Sequence, residues 1–218
     1  FGASELITTI MLNYIANYMV NYMVTTPMIE VRGSLPQTAP MLATAQLPRL
    51  AAGTRIHLGI LVALLCVLFY YIFLWKTRSG FQTRVVGLNP HAARYAGIDN
   101  AKRTVLAMFL AGGFAGLAGL VEILGVQGRM YQDFSPGYGF DGIAVALLGQ
   151  NSPVGILLSA TLFGALRAGS NQMQIRAGVP MALIYVIQAL VIVLVVGSQY
   201  ITEVRKRLIV RREARGDG

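Results

Sequence analysis

The interval Lys76–Arg103, KTRSGFQTRVVGLNPHAARYAGIDNAKR, constrains this chain more than any other stretch. It is the one long polar interval between strongly apolar runs, with six basic residues (Lys76, Arg78, Arg84, Arg94, Lys102, Arg103) against a single acid, Asp99. A basic connector between two membrane spans is expected on the cytoplasmic face, where lysine and arginine are retained. Within it, Asn89 stands as a cap before Pro90, whose fixed φ suits a first helical turn. The spacing predicts a short helix over 90–98, and Gly97 can end it. Such a helix is where a soluble partner could push on the membrane part. The same residues also fit a plain solvated connector.

Composition supports a membrane protein independently. With 55% hydrophobic and 12% charged residues, the chain lies outside the range of ordinary soluble domains. Its net charge of +9 is concentrated in the interval above and in the tail, at Arg205, Lys206, Arg207, Arg211, Arg212 and Arg215. These residues flank apolar runs and form no stripe with interleaved aromatics. Membrane lipid and topology account for them, and nucleic acid is not an expected partner. Cys66 is alone in an apolar run, which excludes a disulfide or a cysteine metal site within the chain. Lysines occur only at 76, 102 and 206, so there is no GxxxxGK[ST] phosphate loop. His57 and His91 fall in different loops, expected on opposite faces, which argues against a histidine-pair metal site. No catalytic, metal or cofactor site is expected here, and the chain does not read as an enzyme.

Six spans are expected, near 4–24, 58–75, 104–126, 139–149, 154–170 and 179–201, followed by a basic cytoplasmic tail over 202–218. The first is apolar enough to insert but carries Glu5, Thr9, Asn13, Asn17 and Asn21 at i+4 intervals, one polar ridge along a helix. Tyr14, Tyr18 and Tyr22 run beside it. Polar groups at bilayer depth face a bundle interior or a watery path. Amides bond sugar hydroxyls or base edges, and tyrosine rings stack on flat ligands. Asn13, Tyr14 and Asn17 are therefore candidates for a substrate path, with interhelical bonding as the competing role. Residues 25–57, with Pro27, Pro36, Pro40 and Pro48, read as an outside loop long enough for a short surface helix.

In the third span Gly112, Gly116 and several alanines form a small face, suited to close helix packing, and Glu122 lies on it. A carboxylate there is a functional candidate. The run 139–149 is too short to cross ~30 Å of hydrocarbon as a helix, so it crosses with help from its flanks or re-enters. Asp141 at its start reads as a helix cap, favoured by the dipole. A polar interval over 167–178 precedes the last span, which holds Gln188 near its middle.

Ala92-Ala93 followed by Gly97 keeps the alanine pair and glycine of the Glu-Ala-Ala-x-x-x-Gly loop of ABC importer permeases. With RVVGLNPHAARYAGI, FAGLAG (114–119) and FSPGYGFDGIAVALLGQ (134–150), the chain resembles permeases of bacterial nucleoside and simple-sugar importers, the nucleoside branch above all. His91 departs from the pattern, standing where that loop carries Glu. The resemblance implies an all-α polytopic transmembrane bundle with a broken or short helix, the C-terminal part of a longer permease in the bacterial inner membrane. It implies ATPase coupling through Asn89, Pro90, Ala92, Ala93, Arg94 and Gly97, and a substrate path past Asn13, Tyr14, Asn17, Glu122 and Gln188. The implied partners are ABC ATPase subunits carrying ATP and Mg, a second, related permease chain, and an extracytoplasmic substrate-binding lipoprotein. A simple-sugar permease is the alternative within the class. An ion-gradient-driven secondary transporter is the rival outside it, and it would need no ATPase-docking helix.

Overall fold

The computed structural model of the chain describes residues 5–30, 35–42, 44–50, 57–135 and 137–178, with isolated helical positions between 185 and 197. These residues form seven α-helices: α1 Glu5–Thr25, α2 Gly59–Tyr71, α3 Arg78–Leu88, α4 Pro90–Tyr95, α5 Asn100–Glu122, α6 Tyr138–Leu148 and α7 Pro153–Ala177. The expected span 179–201, Gln188 and the tail 202–218 lie outside the described residues, apart from those isolated positions.

α2 continues through π-helical turns at Ile72–Lys76, and α5 through others at Ile123–Gln127. Gly59–Lys76, Asn100–Gln127 and α7 are long and apolar enough to cross a membrane, with 18, 28 and 25 residues. At 1.5 Å per residue they reach about 27, 42 and 38 Å. They leave large side chains such as Leu65, Phe109 and Leu158 exposed. Water would penalise that surface, whereas hydrocarbon does not. α1 matches these helices in length but is not among the apolar three. It carries the asparagine ridge along its length.

The chain divides into two compact units, residues 1–136 and 137–218. In the first unit α2 and α5 run antiparallel. An added Cβ at Gly59 would strike Val121, and Phe69 meets Phe114 edge-on at 6.0 Å. An apolar cavity of about 550 Å³ lies between the two helices, lined by Leu65, Phe69, Phe109 and Leu117 among others. The glycine face of α5 is not used within the unit. A Cβ at Gly112, Gly116 or Gly119 would meet nothing within 4 Å among the described residues.

One end of this unit is closed by extended chain. The surface helix expected within 25–57 is absent among the described residues, which instead make the isolated pairings Ile29–Thr38, Gln37–Tyr131 and Arg49–His57. Four prolines remove backbone donors, and several of the remaining amides bond the segment after α5. Thr38 N donates to Met130 O at 3.0 Å, Met41 N to Gly128 O at 2.9 Å and Leu47 N to Leu124 O at 3.0 Å. Glu30 accepts from Gln37 at 3.0 Å and pairs with Arg129 at 3.5 Å.

The opposite end is a tight corner. Thr77 leaves the helix with φ −110° and ψ 152° and caps α3. Its hydroxyl donates to Phe73 O at 2.6 Å and accepts from Gly80 N at 3.0 Å. Gly80 is buried against the end of α2: an added Cβ would lie 2.7 Å from Leu74 Cα and nearer still to Phe73 O. The interval 76–103 is thus more helical than its single expected helix, because the Thr77 cap starts a second one, α3.

In the second unit α6 and α7 are joined by a turn in which Gln150 and Asn151 adopt φ of 51° and 53°. The Ser152 hydroxyl accepts from Gly155 N at 3.1 Å and donates to Gly149 O at 2.9 Å, and Pro153 opens α7. α7 runs on to Ala177 and ends at Gly178 with φ 63°. The expected span 154–170 and much of the polar interval after it are therefore one helix. Residues 167–177 contain no proline, and most are adequate helix formers.

Gly80 provides a direct check of the corner. Gly80→Ala should destabilise the solubilised protein by about 1–3 kcal/mol, the cost of overpacking against backbone that cannot yield. Gly87→Ala, on the same helix with nothing within 4 Å, should be neutral or mildly stabilising. Thermal-melt midpoints that fail to separate the two variants would contradict the corner's geometry.

Candidate functional site

α4 is held at both ends and along its side. The Asn89 side chain accepts from His91 N at 3.0 Å and Ala92 N at 3.1 Å, which satisfies two amides that a helix start leaves open. At the other end Gly97 takes φ 73°, Gly97 N donates to Arg94 O at 3.0 Å and Ile98 N to Ala93 O at 2.9 Å. This is the paired closure of a Schellman motif, and glycine reaches it without strain. Asn100, at the start of α5, donates from Nδ2 to Pro90 O at 2.9 Å. A six-residue helix would not persist alone. These bonds fix it to α5.

The residues of α4 divide by direction. Ala93 is fully buried, so it anchors the helix to its support and leaves contact with a partner to others. Asn89, Pro90, His91, Ala92, Arg94 and Gly97 are exposed. Leu88 and Tyr95, not singled out from sequence, are 87% and 95% exposed. Leu88 closes α3 and Tyr95 closes α4, so an exposed large apolar side chain stands on either side of the clamped turns.

Asp99 caps α5 by accepting from Lys102 N at 3.2 Å, with the Lys102 ammonium 3.3 Å away. These hydrogen bonds hold its carboxyl below the usual range. The cap is therefore complete at neutral pH and fades only as pH falls through that lowered pKa.

Within the apolar helices, the second unit holds an ion pair that sequence reading missed. Arg167 on α7 donates to Asp141 Oδ2 on α6, and its guanidinium carbon lies 4.1 Å from the Tyr138 ring centroid. Asp141 is not the cap of α6, which is Gly137 at φ 79°. Its carboxylate instead balances a cation in the longest apolar helix of its unit. Arg167 follows the run VGILLSATLFGAL, and a charge there requires a partner. That requirement was the available signal.

The expected path residues occupy different places. Asn13, Tyr14 and Asn17 are exposed on α1. Asn21 has a structural role, donating to Asp133 Oδ1 at 2.8 Å and accepting from Asp133 N at 3.1 Å, which ties α1 to the segment after α5. Glu122 closes α5, half-buried, and accepts from Gln127 Nε2 at 3.2 Å. The Glu5 side chain and Gln188 lie outside the described residues. No cluster of metal-ligating side chains occurs among the described residues.

Among the described residues, an all-α arrangement with three spanning-length helices is that of a multi-pass membrane protein. The chain belongs to the family of permease components of branched-chain amino acid transport systems, which it matches over residues 1–196. It is 39% identical over 212 residues to the guanosine ABC transporter permease protein of Bacillus subtilis, covering 95% of this chain and 61% of that protein. It is 38% identical over 212 residues to the glucose ABC transporter permease protein of Haloferax volcanii, covering 93% and 56%. With the nucleoside ABC transporter permease protein of Lactococcus lactis subsp. cremoris, identity is 37% over 212 residues, covering 93% and 58%. The chain thus spans 56% to 61% of the length of these relatives. No solved structure is significantly similar.

The Arg167–Asp141 pair yields a charge-balance test. Arg167→Met or Asp141→Leu alone strands a partly buried charge, and complete burial would make that cost ~3–5 kcal/mol. At 25% and 29% side-chain exposure the penalty is expected to be smaller, but still enough to lower the amount of assembled protein in membranes. The double variant should recover most of that loss, as measured by quantitative immunoblot. Additive losses would show that the two residues act separately.

Proposed function

We propose that this chain is part of the permease subunit of an ATP-driven ABC importer, carrying nucleosides across a bacterial cytoplasmic membrane. The observation that carries the reading is α4, a short helix clamped by Asn89, Gly97 and Asn100 with Leu88 and Tyr95 exposed beside it. A helix fixed to α5 can transmit a push along a membrane span, and a carrier driven by an ion gradient needs no such device. Two of the three relatives above are named for guanosine or nucleoside transport, which supports a nucleoside cargo. A simple sugar is the second reading, favoured by the glucose permease relative.

In this reading an external substrate-binding lipoprotein delivers the cargo to two permease chains, the second related to this one. Two ATPase subunits on the cytoplasmic side close on ATP and Mg, and α4 passes that closure to α5. The cargo is uncharged, so its path needs hydrogen-bonding groups without a fixed charge cluster. The exposed amides of Asn13 and Asn17, with Tyr14, meet that need, and Glu122 and Gln188 are further polar candidates for the path.

The test is uptake of labelled guanosine by cells carrying the full-length permease and its partners. Uridine should compete and glucose should not, and Gly97→Arg should insert normally yet abolish both uptake and substrate-stimulated ATP hydrolysis. Gly97→Asn, which tolerates the left-handed conformation, should retain both. Competition by glucose alone would transfer the assignment to sugars. Unchanged stimulated ATP hydrolysis in assembled Gly97→Arg would remove α4 from coupling.

A further inference from the structure

We propose that the cavity at the corner between α2 and α3 binds the phosphate-bearing headgroup of an anionic membrane lipid. It is open to the surface, has a volume of about 550 Å³ and is lined by Trp75, Lys76, Arg78, Phe81, Gln82 and Arg84, among others. Three of these are cations, and none of the lining residues is an acid. Among the described residues, none of the three cations is in an ion pair. Arg84 is held with its guanidinium carbon 5.3 Å from the Trp75 ring centroid, and its buried Nε has no hydrogen-bond acceptor. Three cations around one cavity repel each other, and a buried guanidinium donor without an acceptor is costly. A phosphate answers both conditions, because its oxygens accept several charge-assisted hydrogen bonds at once and arginine presents donors in the matching fork.

The location selects a lipid over a soluble phosphate. The cavity begins where the apolar run of α2 ends at Trp75 and Lys76, an aromatic and basic pair typical of the membrane–water boundary. Tyr70 and Tyr71 contact the same indole, each with its ring 6.1 Å away. Phe81 and Trp75 are 57% and 41% exposed, which offers apolar surface to the glycerol and upper acyl carbons. The cytoplasmic leaflet supplies anionic headgroups beside such a basic site, and the volume lies in the ordinary range for small-ligand sites. Because Thr77 and Gly80 form the base of the corner, a bound headgroup would brace α3 against α2. The proposal rests on α2 crossing a membrane, but not on the nature of the cargo.

The experiment is native mass spectrometry of the full-length permease with its partner subunits, purified in neutral detergent and exposed to equimolar phosphatidylglycerol and phosphatidylcholine. The wild-type complex should retain phosphatidylglycerol about tenfold over phosphatidylcholine. Lys76→Gln with Arg84→Gln should abolish that preference, and Arg84→Lys should keep part of it. Equal retention of the two lipids by the wild type would overturn the proposal without need of any variant. So would an undiminished preference in the double variant. Displacement of bound phosphatidylglycerol by millimolar inorganic phosphate would assign the site to a soluble phosphate compound and overturn the lipid assignment. A normal lipid preference in a complex that moves no nucleoside would leave the cavity standing and remove only the transport reading.

Discussion

The hydroxyl of Thr77 does two jobs within one turn, and the rest of the first unit depends on them. It bonds the carbonyl of Phe73 at the end of α2 and receives the amide of Gly80 at the start of α3. A helix leaving hydrocarbon exposes unpaired carbonyls, and a helix starting beside it exposes unpaired amides. One side chain meets part of both needs, and Gly80 lets the two backbones meet where any Cβ would collide. The direction of α3 follows from this contact. So do the basic cavity under it and the presentation of α4 beyond Asn89.

Other polar groups among the described residues are closed by similarly short contacts. Where charge enters an apolar helix it is balanced, as Arg167 is by Asp141 with Tyr138 beneath the guanidinium. Where the chain leaves a helix, a short side chain or a left-handed glycine closes it, as at Asn89, Gly97, Ser152 and Gly178. Beside these closed polar groups, the small face of α5 and the sides of α2 and α7 stay uncovered among the described residues. That is the surface expected of a part built to sit among other helices and lipid. α4, only six residues long, is closed at both ends and bonded to α5 through Asn100.

The sequence was most legible where the determining interactions are local. Asn89, Pro90 and Gly97 fall within nine residues, and the hydrogen bonds that define α4 all lie between residues 89 and 100. α3 was not legible, because its start depends on Thr77 reaching back to the preceding helix and its composition reads only as a basic loop. The pairings of the described residues in 25–57 were not legible because their partners lie far away, as Met130 does from Thr38. The Asn ridge looked uniform at i+4 spacing, yet Asn21 bonds Asp133, 112 residues distant, while Asn13 and Asn17 remain exposed. Asp141 likewise read as a cap until the fold placed Arg167 beside it. Local capping chemistry is written in neighbouring residues. Charge pairing between helices is settled only when the chain has folded.

The central claim is that the clamped helix after Asn89 meets an ATP-hydrolysing partner. The most direct measurement is site-specific photo-cross-linking from a benzophenone amino acid at position 95, in membranes containing the full-length permease and its partners. Tyr95 is almost fully exposed, so the probe replaces it without disturbing the buried Ala93 side. The account predicts an adduct with the ATPase subunit whose yield changes when ATP is added. Adducts confined to lipid or to an extracytoplasmic protein would place this surface elsewhere and contradict it.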